Sequence, residues 1–179
     1  MCIRDSTYPW RSFIVGANDG AIAASDMVYR LASPCQMSDV SWIKPGHAAW
    51  DWWNNSALYG VPFKAGFNND TYRFFIDFAQ RFGLEYVLID EGWFSTQSTN
   101  IYDLAPDINL KALVQYANER GVGIILWVGY LSLARDLENA ISHYSAMGIK
   151  GFKIDFLNRD DQPMLQLSLI HISEPTRPY

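Results

Sequence analysis

Apolar positions between residues 70 and 155 recur with two periods in turn, and the alternation predicts a repeated helix–strand plan. Phe75, Ala79 and Phe82 fall on one face of a helix over 71–82, which Asp70 can cap and Gly83 ends. The apolar run 84–90 then reads as a buried strand. Pro106 and Asp107 open a second helix, with Leu110, Leu113, Val114 and Ala117 at i, i+3, i+4 and i+7. Gly121 ends it, and 122–128 is the next strand. Leu133, Leu137, Ile141 and Tyr144 mark a third helix, with Gly148 just past its end and 149–155 as strand. Strands that are apolar on both faces and alternate with helices predict a parallel sheet. Residues 40–46, Val-Ser-Trp-Ile-Lys-Pro-Gly, begin as one further strand and run into a Pro-Gly turn. The fold class is therefore α/β. Residues 40–166 read as a partial (β/α)8 TIM barrel, about its first half, because a complete barrel needs about 250 residues. A doubly wound open sheet is the structural rival, weakened because no glycine-rich phosphate fingerprint follows any strand. Residues 7–39 break the plan. Phe13-Ile-Val-Gly, a loop rich in Asn, Asp, Gly and Ala, and then residues 27–31 read as the last strands of a preceding β domain and a linker.

Two of the strands end in acids. In a β/α-barrel, side chains at strand C-termini point into the active-site mouth. Gly151-Phe-Lys-Ile-Asp155 makes Asp155 the leading catalytic candidate; its other role would be to cap the next loop or pair with Arg159. Lys153 lies two residues earlier on the same strand face. It can bind a substrate hydroxyl and keep Asp155 ionised, or simply form a structural ion pair with it. Tyr86-Val-Leu-Ile-Asp90-Glu91-Gly92-Trp93 ends the same way. Asp90 and Glu91 can grip sugar hydroxyls, and Trp93 can cover an apolar sugar face. Against this, Trp93 could pack the barrel mouth and Glu91 face water. The aromatic segment Trp50-Asp-Trp-Trp-Asn54 suits interdomain packing better than a sugar platform, and Trp127 reads as core. The acidic run from Asp155 to Asp161 could attract a cation, but its spacing fits no calcium loop.

Charge and composition narrow the field further. A net charge of −5 argues against nucleic acid as a partner, since phosphate binding needs a basic footprint. No apolar run reaches the roughly 18 residues that span a bilayer. The aromatic content of 15% suits a large core and also a site that stacks on sugar rings. Residues 1–6 and 167–179 read as sequencing artefacts: Met-Cys-Ile-Arg-Asp-Ser and Leu-Ser-Leu-Ile-His-Ile-Ser-Glu-Pro-Thr-Arg-Pro are what the two arms of a transposon-type adapter encode. Each end carries one acid and one base, so setting both aside leaves the charge at −5. It also removes Cys2, leaving Cys35 without an internal disulfide partner, and neither His47 nor His143 has metal-ligand spacing. The remainder reads as an internal piece of a longer metagenomic gene.

Several motifs, in order, resemble glycoside hydrolase family 97. They are Ser41-Trp-Ile-Lys-Pro-Gly46, Ala49-Trp-Asp-Trp-Trp53, Thr71-Tyr72 to Ile76-Asp77-Phe78-Ala79, Tyr86 to Asp90-Glu91-Gly92-Trp93, and Gly151 to Asp155 to Asp160-Asp161-Gln162. The resemblance runs from about Tyr8 to Gln166. It implies an exo-acting α-glycosidase built from an N-terminal β-sandwich, a (β/α)8 barrel and a C-terminal β domain, with a calcium ion near the substrate. In the family's inverting α-glucosidases the fourth strand does not end in a carboxylate, whereas the retaining, α-galactosidase-type members have an aspartate nucleophile there. Asp155 matches that position. The substrate implied is an α-linked oligosaccharide or α-galactoside. The acid/base glutamate and the calcium ligands match positions outside this segment. The alternatives are an α-glucosidase of the same family and a non-catalytic carbohydrate-binding barrel. The resemblance also implies a periplasmic or secreted parent protein, the segment alone being inactive.

Overall fold

The computed structural model describes residues 12–31, 38–95, 99–159, 161 and 164. The ends read above as adapter-encoded, 1–6 and 167–179, lie outside the described residues. The chain forms two units, Met1–Val40 and Ser41–Tyr179.

In the first unit, helices α1 (Asp19–Ala23) and α2 (Met27–Leu31) are the regular elements among the described residues. Asn18 caps α1 by accepting from the Ala21 amide at 3.0 Å. An Arg30–Asp26 ion pair of 2.9 Å, four residues apart, supports α2. The strands expected at 13–16 and 27–31 do not form. A strand must find a neighbour for its backbone groups, whereas a helix satisfies them locally.

The second unit holds a four-stranded parallel sheet in the order β1-β2-β3-β4, with β1 Ala48–Trp50, β2 Tyr86–Ile89, β3 Gly123–Gly129 and β4 Gly151–Asp155. The order does not reverse among these four described strands. Helix α3 (Asn69–Phe82) joins β1 to β2, α4 (Leu110–Asn118) joins β2 to β3, and α5 (Tyr130–Ala134) with α6 (Leu137–Met147) joins β3 to β4. Crossovers of one hand, all moving the same way along the sheet, put their helices on one face.

Four expectations shift. Helix α4 does not open at Pro106 and Asp107: Asn109 caps it, its side chain accepting from the Ala112 amide at 3.1 Å. The first strand lies at Ala48–Trp50 and not at 40–46, where residues 41–42 form a turn. Lys44 and Pro45 fit a turn better than a paired strand, while Ala48–Trp50 sits in register with Tyr86–Leu88. Asn68, not Asp70, caps α3: its side chain accepts from the Thr71 amide at 2.9 Å. The third helix is broken at Arg135–Asp136 into α5 and α6.

The core lies between the sheet's helix-facing side and the helices. Tyr72, Ile76 and Ala79 of α3, and Leu110, Leu113 and Ala117 of α4, are buried. They meet Val87, Ile89, Ile124, Leu126 and Val128 on alternate strand positions, with Ala140 and Tyr144 of α6 closing the cluster. Gly83, at φ +69°, ends α3 in the left-handed conformation, the predicted stop. On the outer surface Arg120 ties α4 to α3, with its Nε 2.7 Å from Asp77 and its guanidinium 3.4 Å above the Tyr116 ring.

Candidate active site

Strand register decides which side chains share the other face of the sheet. Trp50 pairs with Leu88, Trp127 with Lys153, and Gly129 with Asp155. Side chains alternate, so Trp50, Trp127, Lys153 and Asp155 project to the face opposite Ile89, Leu126 and Val128, together with Asp90 two residues past Leu88; of these Trp127 is itself buried and belongs to the core, as its sequence reading expects. They meet at the C-terminal ends of the strands around a cavity of about 390 Å³, which Glu91, Trp52 and Phe156 complete. That volume is at the small end of ligand-site sizes.

Asp155 is held as a carboxylate. Its Oδ1 accepts from the Phe156 amide at 2.8 Å and its Oδ2 from the Trp127 indole N–H at 3.1 Å. The Lys153 ammonium stands 3.7 Å from Oδ2. The Phe156 N–H and then the Trp127 indole hold the Asp155 carboxyl below its ordinary range; partial burial opposes them, and the Lys153 charge adds a smaller downward pull. Phe156 takes φ +60°, a left-handed conformation costing a non-glycine residue about 1 kcal/mol or more. Its ring packs edge-on against Trp127.

Asp90 is 5% exposed and fully engaged. Its Oδ2 accepts from Lys153 Nζ at 2.8 Å and from the Trp50 indole at 2.6 Å, and its Oδ1 from the Glu91 amide at 2.8 Å. The Lys153 ammonium also lies 4.3 Å from the Trp50 ring centroid, a cation–π contact. Lys153 therefore bridges the two strand-end acids and sits nearer Asp90 than Asp155. Behind Asp90, the buried Asp51 carboxylate accepts from the Asp90 amide, 3.0 Å, and from the Tyr72 hydroxyl, 3.0 Å.

Asp155, Lys153, Asp90 and Glu91 thus come together as their strand ends predict. Trp93 is corrected: it is wholly buried, and its indole donates to the Trp127 carbonyl at 2.7 Å, so it is a core side chain and not a sugar platform. The aromatic surface of the cavity comes instead from Trp50, Trp52 and Trp127. Arg159 pairs with Asp161 and reaches Tyr130, leaving Asp155 to the donors above. Among the described residues no group of three His, Cys, Asp or Glu side chains could hold a metal ion.

A parallel sheet carrying carboxylates, an ammonium and indoles around a cavity at its strand ends has the polar and aromatic lining of a small-molecule site in an α/β protein. The family profile Glycoside hydrolase 97 matches residues 50–176, and the chain belongs to that family. The matched range runs past Gln166, into the tail that reads as adapter. The chain is 51% identical over 157 residues to a retaining alpha-galactosidase of Bacteroides thetaiotaomicron, covering 88% of this chain and 24% of the relative. It is 34% identical over 163 residues to a probable retaining alpha-galactosidase of Streptomyces bingchenggensis, covering 88% and 25%. It therefore spans about a quarter of the length of these relatives. Its fold is similar to that of a family 97 enzyme from Pseudoalteromonas sp. strain K8 in complex with acarbose, with a TM-score of 0.61 at 24% identity over 74% of this chain and 22% of that one.

Proposed function

We propose that this chain is the nucleophile-bearing segment of a retaining α-galactosidase. Asp155 is the observation that carries the reading: a strand-end carboxylate, held ionised by two hydrogen-bond donors and a nearby ammonium, in a cavity walled by indoles. In the reaction Asp155 attacks the anomeric carbon while a second carboxylic acid protonates the leaving oxygen. A covalent glycosyl-enzyme forms, and water then attacks it with the second residue acting as base. Asp155 has to be ionised at working pH, in keeping with its lowered pKa. Lys153, Asp90 and Glu91 line the galactose-binding side. The names of the two bacterial relatives support the galactoside as substrate.

The same reading takes the four strands as about half of a (β/α)8 barrel, preceded by the end of an N-terminal β-sandwich. The acid/base glutamate and any calcium ligands then come from parts of the protein outside this segment, and the intact enzyme is periplasmic or secreted. Asp155→Ala in the full-length enzyme that carries this segment tests the reading. We expect hydrolysis of an aryl α-galactoside to be lost and azide to restore turnover, giving the β-galactosyl azide. Proton NMR of the unmutated enzyme should show α-galactose as the first-formed product. Near-normal turnover by Asp155→Ala, or β-galactose released first, would sink the assignment.

A further inference from the structure

Asp51 is a third strand-end acid in all but name: it follows Trp50, the last residue of β1, as Asp155 ends β4 and Asp90 follows β2. Unlike those two it does not open to the cavity. It is 1% exposed, and among the described residues no lysine, arginine or histidine is recorded against it. All its recorded partners are neutral donors. Its Oδ1 accepts from the Asp90 amide at 3.0 Å, while its Oδ2 accepts from the Tyr72 hydroxyl at 3.0 Å and faces the Ser56 hydroxyl at 3.4 Å. Burial pushes the Asp51 carboxyl up, and these donors oppose that. A buried carboxylate without a cation is a costly way to join two strands, since an apolar residue would fill the space without desolvating a charge. What the carboxylate does that an apolar residue cannot is fix the Asp90 amide. Asp90 in turn holds the Trp50 indole and the Lys153 ammonium, and Lys153 stands beside Asp155.

We propose that Asp51 is a positioning residue: it anchors the backbone of Asp90 to the end of β1 and through Asp90 sets the Lys153 ammonium beside Asp155. The proposal rests on Asp155 as the nucleophile. It predicts a chain of effects that runs from Asp51 through Asp90, with no contact between Asp51 and substrate.

The test uses the full-length enzyme. Asp51→Leu fills the space but offers no acceptor. It should lower kcat by about 30-fold or more with KM changed less than about threefold, because misplacing reacting groups by an ångström costs on the order of 100-fold. Asp51→Asn keeps a carbonyl oxygen for the Asp90 amide and should recover most of that loss. In the double variant Asp51→Leu with Asp90→Asn, the two losses should not multiply, as expected for residues acting in one chain. If Asp51→Leu fails to fold, Asp51→Ser carries the same expectation, being too short to reach the Asp90 amide. A folded Leu or Ser variant with kcat within threefold of the parent, an Asn variant no better than Leu, or full multiplication in the double variant would each overturn the proposal. Asp155→Ala with azide is measured in parallel. Failure of azide rescue there removes the nucleophile reading, and leaves the Asp51 series to be judged on its own kcat losses.

Discussion

Asp155 accepts from two donors and has the Lys153 ammonium beside it, and these answer to different changes. The Phe156 N–H survives almost any substitution, because it belongs to the backbone. The Trp127 indole does not. Trp127→Phe keeps most of the ring packing and removes the donor at 3.1 Å from Oδ2. A depressed pKa places the acid limb of kcat/KM below the usual carboxylate range, and that limb reports the free enzyme's nucleophile. Losing a donor to the charged form weakens that form, so the carboxyl protonates at higher pH. The expected outcome is an acid limb moved to higher pH in Trp127→Phe, read from kcat/KM against pH for an aryl α-galactoside. An unmoved limb would mean that another group sets it. The acids at strand ends were legible because the rule is local: a short apolar run, then a carboxylate. Trp127 reads as core and is buried there, but its indole's bond to Asp155 was not legible, because it depends on lying opposite Lys153 across the β3–β4 pair, and register is a long-range property. Trp93 misled for the same reason. A tryptophan three residues past a strand looks like a rim residue until its indole is found turned inward onto the Trp127 carbonyl.

At the scale of elements, helix stops were easier to read than helix starts. Gly83 and Gly148 sit at the predicted ends in left-handed conformations, where glycine alone is free of Cβ strain. The starts depend on which of several neighbouring Asn and Asp side chains turns back to an amide, and Asn68 won over Asp70 at α3. The first strand was placed eight residues early. That error hid Asp51, because the strand read at 40–46 runs into a Pro-Gly turn and not into an acid. The loop after β2 gives an element-scale prediction. Gly92 has φ +120°, and a Cβ there would lie 2.6 Å from the Phe67 ring. Gly92→Ala therefore strains the backbone by about 1 kcal/mol or more and also pushes on a ring. The displaced loop carries Glu91 at its start and Trp93 at its end. In the full-length enzyme we expect a lower Tm together with a kcat/KM reduced by about tenfold or more, a misplaced loop acting on both folding and substrate placement. Gly83→Ala supplies the control. It meets only the conformational cost, since nothing lies within 4 Å of its added Cβ, and should lower Tm while leaving kcat/KM within about twofold, as expected of a site remote from the chemistry.

At the scale of the whole chain, the question is whether the second unit can stand by itself. Its sheet has edges at β1 and β4, and both present backbone groups available for pairing. Every residue of β4 is only half-buried, although an inner strand of a parallel sheet is covered on both faces. Trp52 and Trp53 are 57% and 75% exposed, and Phe74, Phe78 and Phe82 form an exposed stripe along α3 at a spacing of four. Single exposed apolar side chains are ordinary, but a helical stripe of phenylalanines beside an open sheet edge is a contiguous apolar surface. In the relatives, three-quarters of the protein lies outside the matched region and could cover such surfaces. Residues 1–179 produced alone should therefore associate, or collapse without fixed side-chain packing. Size-exclusion chromatography would show aggregates or a broad, expanded peak, and near-UV circular dichroism of the tryptophans would be weak, as for a compact state without tertiary order. A sharp monomer peak with strong near-UV signals and a cooperative melt would show the opposite: that α3–α6 and four strands bury enough surface to fold independently, and that the edges need no cover.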